Sequence, residues 1–131
     1  SVDYSLYAVA YQKYFADDIP DRINALISGG VSCVMLNFKD AQVNAYVEMA
    51  KRVLEVTRPA GVPMFVENNL HVCLESDADG LHIGVDVMDP ALARRHLGPE
   101  KLLGISTLGE PARLRLACSA EVAADYVSAG G

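Results

Sequence analysis

No apolar run in this 131-residue chain approaches the roughly 20 residues that span a bilayer. The opening stretch "SVDYSLYAVA" has no basic segment ahead of its apolar residues, so no secretory leader is expected there. Positive charge is scarce: 11 Lys and Arg stand against 17 Asp and Glu, a net charge of −6. That balance argues against a nucleic-acid or anionic-membrane binder, because both need a basic face. It leaves room for phosphorylated small molecules, which need only a few local donors. The three cysteines, Cys33, Cys73 and Cys118, are odd in number and have no paired spacing. They are expected to be reduced, buried, small apolar residues of a cytoplasmic protein, without a disulfide or a thiolate metal site. Linkers and low-complexity tracts are also missing, so residues 1–131 are expected to form a single domain.

About half the residues are apolar, and they are arranged in alternating strand-like and helix-like segments. Strands are expected over 5–11, 31–37, 62–68, 78–84, 101–107 and 125–130. Helices are expected over 17–30, 40–58, 89–98 and 110–123, with a short helical piece around 70–74. Asp and Pro open the first helix and glycines close it. Its apolar stripe is Ile19, Ile23, Leu26 and Ile27; that of the second is Val43, Val47, Ala50 and Leu54. Six near-continuous apolar strands joined by helices mean a parallel sheet covered by helices. By unit count alone an open doubly wound sheet is favoured, since a (β/α)8 barrel takes about 250 residues and eight units. In either arrangement the first and last strands are left as bare edges, where another copy of the chain can pair.

The blocks "SLYAV", "GGVSCVMLNFKD", "AGVPMFVEN", "DADGLHIG", "LGPEKLLGIST" and "ADYVSAGG" shift the balance towards the barrel. In their order and spacing the chain resembles thiamine-phosphate synthase along nearly its whole length, with "ADGLHIG" and "LLGIST" the most specific matches. The resemblance implies a TIM-type (β/α)8 barrel of which the first six units are present. The last two units and their glycine-rich phosphate loop have no counterpart, which is expected to reflect an incomplete chain. It further implies the joining of hydroxymethylpyrimidine diphosphate to hydroxyethylthiazole phosphate, with pyrophosphate released. Such chemistry calls for Mg2+ and cationic donors on the departing diphosphate, placed at the C-terminal ends of the strands.

The resemblance also assigns site positions, and the chain departs from several. At the end of the second strand the family carries Gln, Arg and Lys at alternate positions; here they are Met35, Asn37 and Lys39. Lys39 is kept, whereas Asn37 brings a hydrogen-bonding amide without the charge of the arginine. At the end of the third strand the family has Asn-Asp, the Asp binding magnesium; here the pair is Glu67 and Asn68, and Asn68, like Asn37, is a candidate substrate contact. The second metal aspartate falls on Val87, with Asp86 just before it. Glu67 and Asp86 are thus the candidate replacement ligands, each displaced by one residue. Ser106 matches a serine that contacts substrate phosphate, although a strand-end serine is often only a turn former. Leu108 stands where the related thiazole tautomerases have a histidine, which counts against that chemistry.

His82 lies in "ADGLHIG", where alternation sets Leu81 and Ile83 on one face and Gly80, His82 and Gly84 on the other. The aliphatics belong against the helices, so the imidazole is expected inside the barrel, with glycines leaving it room. There it needs a hydrogen-bond partner, since an unmet buried polar group costs about 1–3 kcal/mol. A structural role is the first reading; binding substrate and shuttling a proton near the pyrimidine is the second. His71 and His96 are expected to face solvent, and Asp77 and Asp79 to shape the turn before the fourth strand. The functional alternatives are an active synthase using Lys39 and Ser106, an inactive or repurposed barrel binding another phosphorylated molecule, and a scaffold resting on exposed strand edges.

Overall fold

In the computed structural model, which describes residues 2–107, 109 and 111–128, six strands alternate with five helices. They are β1 Tyr7–Tyr11, α1 Ile19–Ser28, β2 Cys33–Asn37, α2 Val43–Thr57, β3 Met64–Glu67, α3 Leu70–Ser76, β4 Gly80–Gly84, α4 Pro90–Leu97, β5 Leu102–Ser106, α5 Pro111–Ala117 and β6 Tyr126–Ser128. A 3-10 turn, Gln12–Tyr14, follows β1. All neighbouring strands are parallel, in the order β1-β2-β3-β4-β5-β6. Each helix therefore crosses over one outer face of the sheet, as right-handed βα units require.

The sheet is curled rather than open. Tyr7 at the start of β1 and Tyr126 at the start of β6 meet across the concave face, their hydroxyls 2.7 Å apart. Among the described residues the six strands form a curled half-barrel; an eight-stranded closed barrel is not seen there. Among the described residues no helix is long and apolar enough to cross a membrane.

Local chemistry sets the element ends. Asn69 caps α3, its side-chain oxygen accepting from the Val72 N–H at 3.0 Å. The same helix stops at Asp77, which takes a left-handed conformation with φ 59°. Asp79 then accepts from the Met64 N–H at 2.9 Å, tying β3 to the start of β4. The two aspartates thus shape the turn as expected.

On the convex face Val34, Leu36, Met64, Val66, Leu81, Ile83, Leu103 and Ile105 pack against the helices in one continuous core. The stripe of α2 is rotated from the expected one: Tyr46, Met49, Ala50, Val53 and Leu54 are buried, while Val43 is exposed. Tyr46 can enter because its phenol donates to the Leu36 carbonyl at 2.8 Å. Leu26 of α1 is likewise exposed, leaving Ile19 and Ile23 as the buried anchors. Of the three cysteines, Cys33 and Cys73 are buried as expected; Cys118, just past α5, is exposed.

One side chain organises the approach to β6. Arg94 of α4 directs its Nε to the Val122 carbonyl, its Nη1 to the carbonyls of Gly98 and Lys101, and its Nη2 to the Ala123 carbonyl and the Asp125 carboxylate. Asp125 in turn accepts from the Leu103 N–H at 2.7 Å, so the last loop is fixed to β5 before β6 begins.

Candidate active site

Strand alternation places every second residue on the concave face. From β2 these are Cys33, Met35 and Asn37; from β3, Phe65 and Glu67; from β4, Gly80, His82 and Gly84; from β5, Leu102, Gly104 and Ser106. The lower part of this face is apolar and aromatic. Cys33, Met35 and Phe65 are buried there with Tyr4, Tyr7, Leu102 and Tyr126 packed on them. Met35 thus fills the interior where the resemblance expects a glutamine. Two glycines make space for the rings. A Cβ at Gly80 would fall 2.5 Å from a Phe65 ring carbon, and one at Gly104 would overlap Tyr126.

His82 sits above this cluster, only 7% exposed, and it is fully partnered. Its Nδ1 lies 2.6 Å from the Tyr126 hydroxyl and its Nε2 2.8 Å from Ser106 Oγ. Burial pushes the imidazole pKa down to about 4, so the ring is neutral near pH 7. The interior histidine read from alternation is therefore in place. Its partner Tyr126, and Tyr7 beyond it, were missed. Both tyrosines stand at inward-alternating strand positions, and a glycine faces the Tyr126 ring. Those are the signals that would have found them.

The C-terminal ends of the strands form the rim of this face. Asn37 closes β2 half-buried and pairs with Tyr11 of β1. Lys39 follows in an exposed turn. Glu67 closes β3 opposite His82; burial pushes its carboxyl upward, and the Lys39 ammonium draws it back. Lys39 thus lies within electrostatic reach of Glu67.

Asn68 has a left-handed backbone, φ 55°, and its Oδ1 accepts from the Gly84 N–H at 3.0 Å. Its amide oxygen thus braces β4, a bond that the expected substrate contact does not account for. Asp86 is exposed, yet its carboxylate folds back over Gly84: a Cβ on that glycine would lie 2.5 Å from Asp86 Oδ1. Ser106 ends β5 half-buried, level with Gly84 and with Ser128 of β6. Lys39, Glu67, Asn68, Asp86 and Ser106 thus gather at one end of the sheet. Val87 is exposed at the same end. Leu108 lies outside the described residues.

Among the described residues no three His, Cys, Asp or Glu side chains converge as a cation site. Magnesium held mainly by water and phosphate oxygens needs only one or two carboxylates, and the rim supplies Asp86 and Glu67. The opposite end of the sheet is different in kind. A hollow there is lined by Asp3, Ser32, Arg58, Asp79 and Glu100. Its one basic side chain, Arg58, is paired with Asp79 in the lining and with Asp77 beside it. In parallel α/β sheets ligands sit at the carboxyl ends of the strands, so the rim, not this hollow, is the candidate site.

A family model described as thiamine monophosphate synthase matches residues 6–131. The chain belongs to that family. It is similar to thiamine-phosphate synthase of Caldanaerobacter subterraneus, 33% identical over 98% of this chain and 59% of that protein. It is also similar to thiamine-phosphate synthase of Solidesulfovibrio magneticus, 36% identical over 98% of this chain and 60% of that protein. The chain thus spans about three-fifths of the length of these two relatives. Among solved structures, thiamine phosphate pyrophosphorylase from Pyrococcus furiosus superposes with a TM-score of 0.81 at 24% identity, covering 96% of this chain and 59% of the other. That likeness assigns the family's fold to the six strands and five helices.

Proposed function

We propose that this member of the thiamine monophosphate synthase family takes part in joining hydroxymethylpyrimidine diphosphate to hydroxyethylthiazole phosphate. The six units are read as the first six of a TIM-type (β/α)8 barrel. The observation that carries the reading is the gathering of Lys39, Glu67, Asp86 and Ser106 at the strand ends of a chain matched to the family over residues 6–131.

In the reaction the bond between the pyrimidine methylene carbon and the diphosphate oxygen breaks, and the electron pair leaves with pyrophosphate. The thiazole nitrogen then supplies the pair that forms the new carbon–nitrogen bond. Lys39 places a positive charge where negative charge builds on the leaving group. Ser106 offers a hydroxyl to a phosphoryl oxygen, and Asn37 an amide at the neighbouring strand end. Asp86 and Glu67 are the carboxylates that would hold Mg2+, which neutralises charge on the departing diphosphate when bound. The apolar floor of Met35, Phe65 and Tyr126 keeps water from the concave face, and His82 holds Ser106 from below.

The test is direct. Purified protein given both substrates and Mg2+ should release pyrophosphate and thiamine phosphate in equal amounts. Lys39→Ala should lower kcat/KM by about a hundredfold, the scale of one lost electrostatic contact to the transition state. Pyrophosphate binding without any thiamine phosphate would turn the reading to a repurposed barrel. The replacements at Met35, Asn37, Asn68 and Val87 point that way, whereas the likeness to thiamine-phosphate synthases points to the synthase.

A further inference from the structure

We propose that Tyr7 and Tyr126 act through His82 as positioning residues that turn the Ser106 hydroxyl hydrogen outward to the rim, where it donates to a phosphoryl oxygen. The inference rests on the reading of Ser106 as a phosphate contact and says how the contact is oriented. Four side chains form one unbroken line: Tyr7 OH to Tyr126 OH at 2.7 Å, Tyr126 OH to His82 Nδ1 at 2.6 Å, and His82 Nε2 to Ser106 Oγ at 2.8 Å. The line runs from the start of β1, across the concave face, to the end of β5.

A neutral imidazole has one donor and one acceptor, so the line has two possible directions. In the inward direction Ser106 donates to Nε2, Nδ1–H donates to Tyr126, Tyr126 donates to Tyr7, and the Tyr7 hydrogen is left to the neighbouring Cys33 sulfur, a weak acceptor. Ser106 would then have no hydrogen for the unprotonated oxygens of a phosphate. In the outward direction Tyr7 donates to Tyr126, Tyr126 donates to Nδ1, and Nε2–H donates to Ser106. Every phenolic hydrogen then meets a strong acceptor, and the Ser106 hydrogen is free at the rim.

Two observations favour the outward direction. The 2.6 Å separation between Tyr126 and His82 suits an O–H donor better than an N–H donor, which prefers about 2.9–3.0 Å. Burial holds both phenols protonated in either direction, and only in the outward one does the Tyr7 hydrogen meet a strong acceptor, the Tyr126 oxygen at 2.7 Å. Gly104 contributes by leaving the space that the Tyr126 ring occupies.

The decisive measurement is the tautomer of His82, read by long-range proton–nitrogen NMR on 15N-histidine-labelled protein. The His82 signals are assigned as those absent from His82→Gln, the exposed His71 and His96 remaining in that variant. The expected result is a protonated Nε2 and a bare Nδ1; a protonated Nδ1 overturns the proposal. The binding arm uses inorganic pyrophosphate with Mg2+, titrated calorimetrically. Ser106→Ala and Tyr126→Phe should each weaken it about tenfold, and Tyr7→Phe about threefold. No change in Ser106→Ala would remove the underlying phosphate contact itself. A weakened Ser106→Ala beside a folded, unweakened Tyr126→Phe would reject the relay alone.

Discussion

The two faces of one sheet solve different problems. The convex face carries Leu36, Leu81, Ile83, Leu103 and Ile105, all within about 1% exposure and all meeting helix side chains. It asks of each position an apolar group of suitable size. The concave face carries Tyr7, Phe65, Gly80, His82, Gly104, Ser106 and Tyr126, where each residue is chosen against one particular partner. Volume can be exchanged on the first face at graded cost; on the second a single change disconnects a line of hydrogen bonds. Stability and chemistry are therefore separated by the pleat, residue by residue.

Adjacent residues of β5 test that separation. Leu103→Ala, on the convex face, should cost about 2–5 kcal/mol in chemical denaturation while leaving the tautomer of His82 unchanged. Gly104→Ala, on the concave face, should cost about 1–3 kcal/mol because the new methyl meets the Tyr126 ring. It should also part the phenol from His82 and admit water to the ring, relieving the burial that lowers its pKa and moving it up from about 4 on NMR titration. If Gly104→Ala is as stable as the parent and its His82 still fails to titrate, the two faces do not differ as described.

The pH dependence sharpens the comparison. His82 has a folded pKa near 4, below its ordinary 6.5, so between these values the unfolded chain binds more protons than the folded one. Its contribution is complete above pH 6.5 and is lost as pH falls towards 4, by at most about 1.4 kcal/mol per pH unit. Glu67, pushed upward by burial, acts in the opposite sense in the acid range. Comparison of melting curves with His82→Gln isolates the histidine. Back on the convex face, Tyr46→Phe should cost about 1 kcal/mol through the lost bond to the Leu36 carbonyl. Smallest of all, Arg22→Ala should shift stability by less than about 0.5 kcal/mol, since its pair with Asp18 is exposed on α1.

The convex face was largely legible in the sequence because burial there depends on strand alternation and helical period. Its failures are instructive. Leu26 and Val43 fit the helical period but lie beside the packed stripe, and Tyr46 enters the core only because a carbonyl receives its hydroxyl. The rim was partly legible. Alternation placed His82 inside, and family spacing singled out Lys39 and Ser106. Neither could pair His82 with Tyr126, which lies on a strand two crossovers later. Asn68 was read as a substrate contact, yet its side chain reaches the Gly84 N–H, a bond that depends on the positive φ of that residue. Asp86 was placed near its role by one-residue displacement, but only the fold shows its carboxylate turned back over Gly84.

Arg94 carries a different lesson, about where a loop's shape is encoded. Its guanidinium has five N–H donors, and the oxygens around it comprise four main-chain carbonyls and one carboxylate drawn from both flanks of β5. The path into β6 is therefore written upstream, in α4, and the residues that follow the path say little about it. A transplant of residues 118–128 into another barrel would keep its letters and lose its trajectory unless an arginine travelled with it.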